Sequence, residues 1–412
     1  MKNHKNRLPL ETFDIPIQKI RRGYYSAVYF WREKQILEKL NHSKQILMQV
    51  FQKNKAVICG TDEAIAILKL GSGYYRTPEK AYKLFDRYVK NERIIRELQA
   101  LRNYKKLKQS LEEKIQLEIE LDNLWENKSA ELEINSLYDG EPINPHETVM
   151  TIEGLPQYFA HLESIYLGIL ARRTLVATNV SRVVEAAQGK PILFFGDRFD
   201  HYFNQTGDGY AAMSSGVYGV ATNIMGEWWG NKKGIGTTPH ALIACFNGDT
   251  TEATLAFARQ YPDVPCISLV DFHNDCVKTS LEVANRFKSE GLELWGVRLD
   301  TSGTMVDDSL IRNKQLGIER PTGVNPILVN NVRSALDRHG YDKVKIVVSG
   351  GFNQEKIALF EKRQVPVDAY GVGSSLLKGN YDFTADIVLV DNQPMAKIGR
   401  QYNPNSKLTK VN

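Results

Sequence analysis

Two places late in the chain set glycine at the end of an apolar run. In "IVVSGGF" (346–352) Ser349, Gly350 and Gly351 follow β-branched residues, and in "AYGVGSS" (369–375) Gly371, Gly373 and Ser374 do the same. Glycine at a strand end before a helix-forming stretch exposes bare backbone N–H groups at a helix start, an arrangement that anions favour. A single such stop is a tight turn; two in succession suggest one phosphate cradle. In "GVRLDTSG" (296–303) Arg298 and Asp300 stand two residues apart, so on a strand they share a face. The guanidinium fork suits a planar carboxylate or a phosphate, while the carboxylate suits sugar hydroxyls, a metal ion or developing positive charge. A structural ion pair at a strand end is the other reading.

"GIGTTPHALIACF" (234–246) lets Thr237 or Thr238 cap a helix with Pro239 and His240 in its first turn. That places an imidazole where the helix dipole would stabilise a negative group bound to it. Of the other seven histidines only His273, in "VDFHND", lies in a comparable context. Asp271 and Asp275 add carboxylates near another strand end, one or two of which a magnesium ion bridging phosphates would use. Arg198, in "FFGDRFDHY", adds a second cation. Two glycine pockets, two arginines, several aspartates and a histidine suit a phosphorylated sugar.

These residues need a frame that gathers them. From about residue 190 the runs 191–198, 266–272, 292–300, 344–351 and 367–374 are apolar and of strand length, with helix-compatible segments between them. Such alternation indicates βαβ units and a parallel sheet covered on both faces. Each run ends in polar residues or glycine. In a (β/α) barrel these ends converge on one face, where the last two strands commonly hold a phosphate. The expected fold class is therefore α/β, an irregular (β/α) barrel preceded by an N-terminal α+β sandwich-like domain. The expected limits are 1–180 for the N-terminal domain, 181–380 for the barrel, and 381–412 for a C-terminal segment returning to the N-terminal domain. A charged insertion at about 74–135 contains an amphipathic helix over 88–114, whereas 115–122 alternates strictly enough to be helix or strand.

With 412 residues, 42% hydrophobic and 25% charged, the chain has room for two ordinary domains. A formal charge of +5 without a basic block does not indicate a nucleic-acid partner, and anionic small molecules fit the charge equally well. No apolar run reaches membrane-spanning length and the N-terminus has no signal-peptide core, so a cytoplasmic protein is expected. The four cysteines lack C-x-x-C spacing and are read as reduced thiols.

The ordered set "GTTPHA", "GVRLDTS", "VVSGGF" and "YGVGSS" resembles the nicotinate phosphoribosyltransferases, within the type II phosphoribosyltransferases; the likeness extends from "GYYSAVYFWRE" (23–33) to "AKIGR" (396–400). The resemblance implies transfer of a phosphoribosyl group from 5-phosphoribosyl-1-pyrophosphate (PRPP) to nicotinate, giving nicotinate mononucleotide and pyrophosphate in NAD biosynthesis. It implies ATP as co-substrate with Mg2+, and His240 as the histidine that becomes phosphorylated. Thr237 and Arg298 match positions that hold the pyridine carboxylate. Tyr29 matches an aromatic residue that stacks on the pyridine from a neighbouring subunit, which implies a homodimer or larger assembly with shared sites. Ser374, with Gly350, Gly351, Gly371 and Gly373, matches the ribose 5-phosphate cradle, and Asp300 and Asp271 are the carboxylates for the sugar cation. The chain differs from the common pattern in having Phe199 after Arg198 and Ala27 before the Tyr29 segment. The alternatives are a transferase acting on nicotinamide or another pyridine, and a non-catalytic barrel homologue. An aldolase would want a lysine at a strand end, and none of the runs ends in one.

Overall fold

The computed structural model describes residues 6–317 and 320–411. The chain forms two compact units. One runs from Leu175 to Gly379; the other takes the chain up to Thr174 together with the segment from Asn380 onward. The helix Glu163–Ala186 carries the chain from one into the other.

The Leu175–Gly379 unit holds six parallel strands: β1 (Ile192–Phe194), β2 (Gly219–Val220), β3 (Ile267–Leu269), β4 (Gly296–Leu299), β5 (Lys345–Val348) and β6 (Ala369–Val372). Their order in the sheet is β3-β4-β5-β6-β1-β2, with all five pairings parallel. Because the last strand pairs with the first, the order is circular with one break, between β2 and β3. A doubly wound open sheet does not join its first strand to its last in this way; a barrel does.

The break is bridged by irregular chain. Ile235 N donates to Val220 O on β2 (2.8 Å), Thr238 N donates to Ile267 O on β3 (3.1 Å), and Leu269 N donates to Thr238 Oγ1 (2.8 Å). The fold is α/β, with a parallel half-barrel sheet of six strands and a non-strand seam. The five apolar runs each contain one strand; the sixth, β2, has only two residues, too few to show a period.

Period-two alternation explains how this sheet presents a site. Leu193, Ile267, Val347 and Ala369 form an apolar layer with Phe195 and Ile235 packed against it. One step further along the strands, on the same face, come Phe195, Arg298, Ser349 and Gly371. Chemistry therefore begins where the apolar layer ends. On the outside, the helices Cys276–Ser289 and Pro326–Arg338 bury apolar stripes and start on the side-chain caps Asp275 and Asn325, each accepting a backbone N–H bond.

The other unit is built on a six-stranded sheet whose inner strands are antiparallel. Its central strand, Ile46–Gln52, is buried throughout and pairs with Thr148–Gly154 on one side and Phe383–Val390 on the other. The chain after Asn380 therefore adds a strand beside one contributed more than three hundred residues earlier. The insertion is a helical hairpin, Pro78–Ala100 and Tyr104–Leu124, closed at its base by the antiparallel pair Gly73–Tyr75 and Trp125–Asn127. Residues 115–122 are helical: Leu117 and Leu121, one turn apart, pack into a core with Leu84, Phe85, Tyr88 and Trp125. A buried (i, i+4) pair outweighs local alternation. Among the described residues no helix is long and apolar enough to cross a membrane.

Candidate active site

A cavity of about 510 Å3 opens at the carboxyl ends of the strands. Both glycine stops line it, Ser349, Gly350 and Gly351 after β5 and Gly371, Gly373 and Ser374 at the end of β6, together with Arg298 on β4 and Asp300 just after it, Arg198 and Phe195 after β1, and Thr237 from the seam.

The glycines are there for different reasons. Gly350 and Gly351 have φ of +88° and +71°, so the chain turns in a region that other residues resist. Gly371 is a matter of approach: a Cβ would lie 2.5 Å from the Phe195 ring and 3.2 Å from Ser349 Cβ. At Gly373 a Cβ would meet the Phe199 ring at 2.6 Å and Phe195 O at 2.7 Å. The two turns are tied together by Ser375 Oγ, which donates to Phe352 O at 2.8 Å. Asn353 caps the helix Gln354–Lys362 that leaves the first turn.

Arg298 is held on three sides. Its Nε donates to Ser349 Oγ (2.8 Å), NH1 to Thr237 Oγ1 (3.1 Å) and NH2 to Asp300 Oδ2 (2.9 Å), and its guanidinium lies 5.2 Å from the Phe195 ring centroid. Ser349 Oγ in turn donates to Asp300 Oδ1 at 2.8 Å. A guanidinium has about five N–H donors. With three engaged, one remains on each terminal nitrogen, the pair that a carboxylate takes bidentately. Arg298 and Asp300 do form an ion pair, but one built into a cavity wall with donors to spare.

His240 opens the short helix His240–Cys245, and its Nε2 lies 2.9 Å from Asp271 Oδ1. The expected threonine cap is absent: Thr238 spends its hydroxyl on β3, Thr237 spends its own on Arg298 and Thr238 O, and Pro239 occupies the cap position. Both threonines are drawn into the seam instead. The imidazole is half exposed. Neither His240 nor Asp271 lines the 510 Å3 cavity, although Pro239 does. Burial pushes the Asp271 carboxyl above its usual range; the adjacent His240 opposes this, and Asp300 adds to it.

Other candidates fall elsewhere. Asp275 caps the helix Cys276–Ser289 and is held by Arg312 at 2.6 Å, so it is a structural carboxylate. His273 bonds to Gly248 O. Tyr29 belongs to the other unit, on the helix Val28–Lys39, where its ring is two-thirds exposed and 4.3 Å from that of Phe30. Arg198 lies 5.6 Å from the Phe199 ring. Sequence reasoning passed over Phe195, whose signal was the doubled Phe of "FFG". It also passed over Lys356, in the first turn after the cradle, whose Nζ donates to Gly350 O at 3.2 Å. Burial, aided by Arg320, pushes the Lys356 ammonium down to about 8.

The fold is one seen in a solved phosphoribosyltransferase structure. The chain superposes on the nicotinate-nucleotide pyrophosphorylase of Pyrococcus furiosus with TM-score 0.69 and 27% identity, covering 97% of this chain and 85% of that one. Human nicotinic acid phosphoribosyltransferase shares the fold, with TM-score 0.61 and 15% identity over 92% and 77% of the two chains. More narrowly, the chain is a homologue of proteins named nicotinate phosphoribosyltransferase. It is 29% identical to pncB1 of Mycobacterium tuberculosis over 274 residues, 64% of this chain and 55% of that protein, and 24% identical to the Bacillus subtilis protein over 242 residues, 59% and 45%. The chain thus spans about half the length of the curated relatives it matches. No family model matches it.

Proposed function

We propose that the protein transfers the phosphoribosyl group of PRPP to nicotinate, yielding nicotinate mononucleotide and pyrophosphate in NAD salvage. The observation that carries this reading is the three-way anchoring of Arg298, which leaves a bidentate pair of donors in the same cavity as two glycine-built turns. The first suits the pyridine carboxylate and the second a ribose 5-phosphate. Phe195 supplies an aromatic wall for the ring.

Nicotinate's ring nitrogen is already nucleophilic, so no base is needed; it attacks ribose C1 as the C1–O bond to pyrophosphate breaks and the electron pair leaves with the pyrophosphate oxygen. Oxocarbenium character on the sugar is stabilised by Asp300, kept in place by Arg298 and Ser349, while Arg198 faces the phosphates. Alignment supplies much of the rate. Among the described residues no group of three or more His, Cys, Asp or Glu could hold a metal ion, and both Asp300 oxygens are engaged. Magnesium would enter with the substrate phosphates and neutralise their charge, with Asp197 a carboxylate that lines the cavity and is not bound to Arg298. In this reading ATP phosphorylates His240 at the ring nitrogen not held by Asp271, which orients the imidazole. A homodimer would bring Tyr29 to a partner's pyridine.

The test is incubation with nicotinate, PRPP, magnesium and ATP, measuring mononucleotide and ADP. Product from nicotinamide but not from nicotinate would overturn the reading.

A further inference from the structure

The helical insertion carries apolar residues on two sides, and the proposed reaction uses neither. In the helix Tyr104–Leu124, Leu117 and Leu121 face the core of the hairpin. Leu111, Ile115 and Ile119 recur every fourth residue and lie about half a turn away, since two residues along a helix rotate it by about 200°. Their exposures are 41%, 53% and 46%. A continuous stripe of branched aliphatic side chains thus stands in water on the side of the helix opposite its own core.

The charges of the same helix run the wrong way for the helix itself. Three of its first five residues are lysine (Lys105, Lys106 and Lys108) and three of its last seven are acidic (Glu118, Glu120 and Asp122). No acidic residue lies in the first turn and no basic one in the last. The macrodipole favours the opposite distribution, so this gradient does not serve the stability of the helix. Two of these charges stand at the ends of the stripe, Lys108 one turn before Leu111 and Asp122 one turn after Ile119, each seven residues from Ile115. Lys108 is exposed, with Glu112 at 3.9 Å. Asp122 is exposed yet fixed, because its Oδ1 accepts from Gln18 Nε2 (2.8 Å) and Arg21 NH1 (2.6 Å). The stripe therefore ends on an ammonium in one direction and on a carboxylate in the other.

We propose that this stripe is an interface between two copies of the chain, whose helices Tyr104–Leu124 lie antiparallel about a two-fold axis at Ile115. In that register Ile115 meets its own equivalent, Leu111 meets the equivalent of Ile119, and Lys108 meets the equivalent of Asp122 at both ends of the contact. A parallel pair would set lysine beside lysine. A uniformly basic or acidic partner, or an anionic lipid surface, would be opposed by one end of the gradient, whereas an inverted copy reverses it by symmetry. A helix of 21 residues is about 31 Å long. Two such helices cover less than the roughly 800 Å2 per partner of a standard interface, so the association is weak and concentration-dependent.

The test reads a contact at one residue, so it is independent of whether copies also assemble through Tyr29. It uses the full chain with Cys245→Ser, which removes the exposed thiol and leaves three buried ones. In that background Ile115→Cys, treated with a short bismaleimide, should form covalent dimers at a rate that rises with protein concentration; packed helix axes lie about 8–10 Å apart, within reach of such a reagent. Gln109→Cys, exposed on another side of the same helix, should not. In a mixture carrying different tags, Leu111→Cys should join to Ile119→Cys faster than either joins to itself. Lys108→Glu added to Ile115→Cys turns two attractive contacts per dimer repulsive and should slow cross-linking on the order of tenfold, while Lys108→Arg should leave it unchanged. These are surface positions, so thermal unfolding should match that of the Cys245→Ser parent, which separates lost contact from lost folding. Cross-linking of Ile115→Cys no faster than that of Gln109→Cys would overturn the proposal. So would faster joining of Leu111→Cys to itself than to Ile119→Cys, the mark of a parallel pair, or a rate unmoved by Lys108→Glu.

Discussion

Replacing Arg298 by lysine keeps the positive charge and removes the fork. The guanidinium reaches Ser349, Thr237 and Asp300 at 2.8, 3.1 and 2.9 Å in three directions of one plane; an ammonium at the end of a flexible stem cannot hold all three and still offer two parallel donors. The lost bidentate contact is worth two charge-assisted hydrogen bonds, each contributing about 1.5–3 kcal/mol. Lysine recovers part of this as a point charge, leaving a deficit of about 3 kcal/mol, on the order of a hundredfold in kcat/KM. That deficit applies only to a substrate with a carboxylate. Steady-state rates with nicotinate and with nicotinamide should therefore diverge in their response: nicotinate falls about a hundredfold further than nicotinamide, which loses only what the weaker hold on Asp300 costs, and the preference between them narrows. A preference that survives Arg298→Lys intact would refute the assignment of the carboxylate to this arginine.

Further outcomes follow from the same geometry. Ser349→Ala strips a partner from both Arg298 Nε and Asp300 Oδ1, and kcat/KM should fall roughly tenfold with a melting temperature only about 2–4 °C lower; full activity would show that Ser349 does not couple the pair. His240→Ala should abolish the dependence of product formation on ATP while leaving some ribosyl transfer, and unchanged ATP dependence measured by coupled ADP release would remove that histidine from the reaction. Gly371→Ala forces a Cβ within 2.5 Å of Phe195 and should cost about 1–3 kcal/mol in a denaturant melt together with most of the activity; wild-type behaviour on both counts would mean the ring simply moves aside. Burial, with Asp62 alongside, pushes the Asp139 carboxyl up to about 7, against two hydrogen bonds from Thr61. The folded state then holds a proton that the unfolded state releases from about pH 4 upward, so stability should fall as pH rises from about 4 to about 7. Asp139→Asn should flatten that part of a stability-against-pH curve; a slope of the same size in the variant would place its origin elsewhere.

The parts of this site that could be read from the sequence were those in which a residue type is nearly forced by local geometry. Gly350 and Gly351 need positive φ, Gly371 and Gly373 need missing side chains, and Arg298 with Asp300 share a face through strand alternation alone. What could not be read depends on distant partners. Thr238 and Thr237 have the local look of helix caps, but the seam claims their hydroxyls, because β3 and Arg298 lie within reach only after the barrel order is made. The helical fate of 115–122 was decided by Trp125 and the facing helix, not by its own alternation. The two-residue strand β2 carries no periodic signal of its own.

The seam between β2 and β3 has a consequence for how the protein responds to occupancy. A sheet sewn shut by one irregular segment can breathe there more readily than along its hydrogen-bonded ladders, and Thr237 sits on that segment with its hydroxyl on the arginine that faces the cavity. Whatever settles on Arg298 also steadies the stitch. Filling the cavity and tightening the wall are then a single act, and the backbone amides of 235–238 should be the first to slow their exchange with solvent when a ligand arrives.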